Sequence, residues 1–184
     1  SQSYDFSTRE DLSLLMVLGG HAHHDMQIGL GGVFYVQAAS DACYDDFKRS
    51  PFADTSIQRT SGSIYEQAFD FVGISEDYET ITMLRIGVGG NRRYHLKPIK
   101  MVTGDKLKLE SENAVQWFCY DSESVYESSV WTLCSNVATI STDGTITASS
   151  VGDAVVAAMD DNHNLELFYI SVTEDSFVNL SDKG

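Results

Sequence analysis

The feature that most restricts this chain lies between Lys106 and Val172, where short runs of alternating apolar and polar residues are separated by turn residues. A period of two puts every second side chain on one face of an extended strand, so each run has a face that another element must bury. In Lys106-Leu107-Lys108-Leu109-Glu110 the two leucines share a face opposite the charges. Val115 to Tyr120, Val130 to Leu133, Val137 to Ile140, Thr145 to Ala148, Ala154 to Met159 and Leu165 to Val172 continue the series. Asp143-Gly144 signals a hairpin, because glycine takes positive φ readily, and Asp160 to Asn164 closes the last one. The polar stretch Asp121 to Ser129 reads as a loop. Strands this short, with turns at this spacing, predict a β-sandwich.

The remainder also reads as mainly β. Two prolines and 14 glycines punctuate runs rich in Val, Ile, Thr, Tyr and Phe, the composition of strands joined by tight turns. Val33 to Ala38 and Thr80 to Val88 read as strands. Asp11 to Leu18 fits helix or strand, and Ser63 to Val72 fits a short helix or an edge strand. Gln27-Ile28-Gly29-Leu30-Gly31-Gly32 and Arg85-Ile86-Gly87-Val88-Gly89-Gly90 share a pattern and read as two strand-to-turn exits. At Pro98 one strand pattern ends and another begins, which sets a domain boundary there. Residues 1–96 are then a β-rich domain with room for one short helix, 97–175 the sandwich, and 176–184 a short tail.

Within the sandwich, Trp131 to Ala148 followed by Val151 to Ala158 carries a Trp that opens a strand, a Val-Ala-Thr-Ile strand, an Asp-Gly turn and a Gly-Asp-Ala entry to the next strand. Gly104-Asp105 leads into the alternating leucines. This stretch resembles the bacterial immunoglobulin-like domain, group 2, over roughly residues 97–173. It departs from the family pattern at Leu133-Cys134-Ser135-Asn136, where proline is common and none is present. The resemblance implies an immunoglobulin-like β-sandwich whose framework includes Gly104, Trp131, Gly144 and Gly152. Trp131 is expected to fill the gap between sheets, and Val137, Ile140, Ile146, Val156 and Ile170 to face inward. No matched residue is catalytic.

Charge narrows the partners. Twelve basic against 27 acidic residues give −15, and both halves are acidic. Such a field repels phosphate backbones, so nucleic acid is not expected as a partner. No run approaches the roughly 18 to 20 apolar residues of a membrane helix, so membrane insertion is not expected either. Cys43, Cys119 and Cys134 lack CxxC spacing and read as buried free thiols, not a disulfide framework or zinc site.

The motifs with chemical content are few. His21 and His23 share a face if extended, and Asp25 completes a three-ligand set, so His21, His23 and Asp25 are the candidate metal ligands, weighed against a polar loop. Gly29-Leu30-Gly31-Gly32 lacks the third glycine of a dinucleotide site, and no serine or cysteine has a nucleophile context. The expectation is no enzyme, no cofactor and no catalytic residue. Arg92, Arg93 and Tyr94 form the one basic cluster, and Arg and Tyr are enriched where proteins anchor to one another, so these three are the candidate interface.

Group 2 immunoglobulin-like domains occur on bacterial surface proteins and as modules of phage virions. No signal core or wall anchor, a single module and fusion to an unfamiliar β-rich domain favour the virion. The expected function is a phage structural protein, a capsid decoration, head-fibre or tail accessory. Residues 1–96 would dock on other virion proteins as a homo-oligomer, while the immunoglobulin-like domain touches surface glycans weakly. The alternative is a bacterial surface or secreted adhesin or carbohydrate-binding module.

Overall fold

A computed structural model of the chain describes residues 14–20, 23–39, 45–128 and 130–174. The described residues are mainly β. They form β1 (Met16–Gly19), β2 (Met26–Leu30), β3 (Val33–Gln37), a 3-10 turn (Asp45–Arg49), β4 (Ala68–Ile74), β5 (Thr80–Gly87), β6 (Arg92–Val102) and β7 (Lys106–Lys108). Then follow β8 (Gln116–Tyr120), β9 (Val125–Glu127), β10 (Val130–Thr132), β11 (Ala138–Ile140), β12 (Thr145–Ala148), β13 (Gly152–Met159) and β14 (Leu165–Thr173).

A six-stranded sheet, β4-β5-β6-β14-β13-β8, forms the middle of three layers. Alternate residues of its inner strands feed two separate cores. Val155, Ala157, Leu167 and Tyr169 join Phe34, Val36 and Met26 of the β1-β3-β2 sheet on one face. Ala154, Val156, Phe168 and Ile170 join Val137, Ala138, Ile146 and Ala148 of the β11-β12-β7 side on the other. This explains why Ala154 to Met159 shows no polar alternation: every one of these residues is buried. Fully burying one such aliphatic side chain stabilises by about 1.5 to 3 kcal/mol.

Pro98, expected to mark a domain boundary, lies inside β6. Arg92 to His95 pair with β5 on one side and with Leu165 to Phe168 of β14 on the other. Ile99 to Val102 pair with Ile170 to Thr173 after a register shift. Leu96 to Pro98 occupy that bulge, where a residue without an N–H is tolerated. One strand therefore serves both halves of the chain. Ser63 to Val72 resolves in favour of an edge strand, as β4, and the short helical turn lies instead at Asp45–Arg49.

Two other expectations are corrected. Val125–Glu127 is not loop but pairs with β10, placing Tyr126 opposite Trp131. Trp131 does not fill the space between the sandwich sheets; it donates from Nε1 to His24 Nε2 at 3.0 Å and packs at the edge of the first core. Trp117 packs against the second core instead. Gly144, at φ 83°, passes so close that a Cβ there would lie 2.7 Å from the Trp117 ring. Val137, Ile140, Ile146, Val156 and Ile170 do face that core. Gly104 and Gly152 also have positive φ. Cys119 is half-buried, with its thiol pushed up to about 12 by burial, whereas Cys134 is exposed on the segment after β10; both are free. Cys43 lies outside the described residues.

Candidate functional site

β4 and β5 pair antiparallel with Asp70 opposite Arg85, Phe69 opposite Ile86 and Phe71 opposite Leu84. Both strands alternate, as half-buried strands do, and Ile81 and Met83 of β5 enter the first core, but around Asp70 and Arg85 the usual polarity of the faces is exchanged. In Phe69-Asp70-Phe71 and Leu84-Arg85-Ile86 the charged residue points inward and the apolar ones point out.

Inside, Arg85 bridges two carboxylates. Its Nη2 and Nη1 donate to Asp25 Oδ1 and Oδ2 at 2.7 and 2.8 Å, and its Nε and Nη2 to Asp70 Oδ1 and Oδ2 at 2.9 and 3.2 Å. Arg92 closes the ring from β6, with Nη1 2.8 Å from Asp25 Oδ1 and Nη2 2.5 Å from Asp70 Oδ2. The side chains of Arg85, Arg92 and Asp70 are 1, 2 and 6% exposed. Two cations and two anions leave no net charge, and bidentate guanidinium contacts are the strong kind. Burial alone would raise the Asp25 carboxyl, but the Arg92 and Arg85 guanidiniums outweigh it and hold its pKa below the ordinary value. Burial depresses both guanidinium pKa values, yet the facing carboxylates leave them raised. The ring ties β4, β5, β6 and the segment before β2 together.

Outside, Phe69, Phe71, Leu84 and Ile86 are 44, 61, 51 and 46% exposed on one continuous face. Phe69 and Phe71 meet edge to face at 5.7 Å. This is the same side of the central sheet that β11-β12-β7 covers further along, but the second core contains no residue of β4 or β5. Among the described residues β4 is also the terminal strand of the sheet, so one side of its backbone has no neighbouring strand there. Contiguous exposed apolar faces of this kind occur at interaction sites.

The residues singled out from the sequence are dispersed. Arg92 and Tyr94 are interior, at 2 and 0% exposure, so of the three candidate interface residues only Arg93 is exposed. Arg93 lies opposite Thr82 on the row beside Leu84, at the rim of the apolar face. Burial raises the Tyr94 phenol well above its ordinary value. His21 lies outside the described residues. His23 Nδ1 is 3.4 Å from Asp46 Oδ2, and Asp25 is taken up by the two arginines. Among the described residues no group of three or more His, Cys, Asp or Glu is placed to hold a metal ion. Asp70 and Arg85 were not singled out, although a charge at an alternate position of an otherwise apolar strand was the available signal.

No protein-family model matches the chain, and no curated protein or solved structure resembles it. The functional reading therefore rests on geometry.

Proposed function

We propose that this chain is a non-enzymatic structural protein of a phage virion that assembles through the outward face of β4 and β5 and presents an immunoglobulin-like layer. The observation that carries the reading is the exposed apolar face of Phe69, Phe71, Leu84 and Ile86 set over the buried ion ring. Burying four charges costs several kcal/mol per ion before their mutual attraction offsets it. A one-residue change of register would reverse the arrangement, so an apolar outward face is a specified feature. The occupant is a second copy of the chain. Antiparallel pairing of two β4 edges about Phe71 would continue the sheet and bring Phe69 and Phe71 of each copy onto one face, an isologous contact.

The immunoglobulin-like part of the reading is supported by strand order. Counting from β6 and leaving out the β9–β10 hairpin, β11-β12-β7 holds the fourth, fifth and second strands. The facing strands β6-β14-β13-β8 are the first, seventh, sixth and third; six of the seven strands follow the two-sheet division of immunoglobulin domains, and the first pairs with the seventh instead of the second. Repetition on a particle would turn weak glycan contacts into useful avidity.

The location is tested with an antiserum raised against the purified chain. Labelling of intact phage particles is expected; labelling of the bacterial envelope without particles would reject the virion and favour a surface adhesin.

A further inference from the structure

A second surface lies on the far side of the molecule's first layer, where the outer face of β1-β3-β2 meets the β9–β10 hairpin. There a groove of about 420 Å³ is lined by His24, Met26, Tyr35, Gln37, Tyr126 and Trp131, among others. We propose that this groove binds an uncharged sugar ring, which gives the adhesive half of the reading above a definite site and rests on that half.

Its wall is preorganised. His24 stacks on Tyr126 with centroids 5.2 Å apart, Tyr126 lies 5.1 Å from Trp131, and the Trp131 N–H is spent on His24 Nε2 at 3.0 Å. These contacts fix the rings' orientation relative to one another. Among the described residues the lining contains no Asp, Glu, Lys or Arg, in a chain carrying −15. An ionic ligand would find no counter-charge there, whereas a neutral one loses nothing.

The polar handle is Gln37. On β3 it pairs with Met26 of β2 and Gly19 of β1, on the row that faces outward with Tyr35 and Val17. Its Nε2 is shielded from solvent and has no hydrogen-bond partner among the described residues. A buried donor without an acceptor is costly, and an acceptor carried in by a ligand removes the cost. The Tyr35 and Tyr126 hydroxyls also make no hydrogen bond to the described residues and both donate and accept. The ligand that answers these groups has an apolar face for the aromatic wall and hydroxyls that accept and donate at its edge. A pyranose has both; a hydrocarbon lacks the edge, and a proline-rich peptide offers carbonyl acceptors without donors. The groove's size suits one or two such rings.

The test immobilises the full chain and passes over it polymer-linked glucose, galactose, mannose, N-acetylglucosamine and lactose, sialylated and sulfated conjugates, and a proline-rich peptide. At least one neutral conjugate should be retained, and Trp131→Ala, Tyr126→Ala and Gln37→Leu should each reduce retention about tenfold or more. Gln37→Leu removes both polar atoms and leaves an apolar side chain of similar bulk, so circular dichroism matching the parent shows that its loss is not unfolding. Equal retention by all three variants overturns the groove while leaving glycan adhesion standing. Retention of acidic conjugates or of the peptide alone overturns the assignment of a neutral sugar. Retention of nothing overturns both.

Discussion

β13 and β14 are mostly apolar and are covered on both faces; β4 and β5, in the same sheet, place Asp70 and Arg85 on the covered face beside Ala68, Ile81 and Met83, and leave Phe69, Phe71, Leu84 and Ile86 on the open one. The first arrangement is what a central strand of a stable monomer needs. The second is the arrangement expected if the outer face is covered by a second copy, as proposed above. The comparison teaches that burial and hydrophobicity are separable within one sheet. An ion ring supplies cohesion where apolar side chains have been assigned outward.

This difference can be broken at several points. Arg85→Met leaves Asp25 and Asp70 short of one of their two shared partners and should destabilise the chain by about 3 to 5 kcal/mol in urea unfolding. A loss below about 1 kcal/mol would mean the ring is not cohesive. Ile170→Ala in β14 should cost about 2 to 5 kcal/mol through loss of burial and the cavity left behind, a comparable loss without any charge. Gly144→Ala strains a positive φ and presses on Trp117, with an expected cost of about 1 to 3 kcal/mol. Phe71→Lys, on the open face, should change monomer stability by no more than about 0.5 kcal/mol.

Acid separates the two regions in another way. The folded-state pKa of Asp25 lies below the ordinary 3.8, so its stabilisation is present above that value and is lost as pH falls through the folded pKa. Unfolding free energy followed from pH 5 to pH 2 should therefore decline. Asp25→Asn should be less stable at neutral pH and should decline less steeply. An unchanged slope in this variant would show that other carboxylates carry the acid response.

Much of the sandwich was legible because its strands obey one simple rule. Leu165 to Val172 and Thr145 to Ala148 were bounded to within a residue or two by alternation and turn residues alone. The β9 strand was missed because Val125-Tyr126-Glu127 is too short and too polar-flanked to show a period. Its pairing is decided by Tyr126 and Trp131 packing onto the first layer. Pro98 misled because a proline between two strand patterns looks like a break, whereas a bulge absorbs it inside β6. The candidate site was the least legible. Alternation marks Thr80 to Val88 as a strand, but alternation cannot say which face is inside. Here Arg85 goes in only because Asp25 and Arg92, distant in sequence, converge with Asp70 at the same place. Reading Arg92 as a surface anchor failed for the same reason.

The central claim is that the open face of β4 and β5 is an interface between copies of this chain. Sedimentation velocity of the full chain over roughly 1 to 100 µM tests it directly. The account predicts a concentration-dependent oligomer that Phe71→Lys and Leu84→Lys convert to monomer without loss of β-structure. A monomer throughout that range, or an oligomer indifferent to both substitutions, would contradict it.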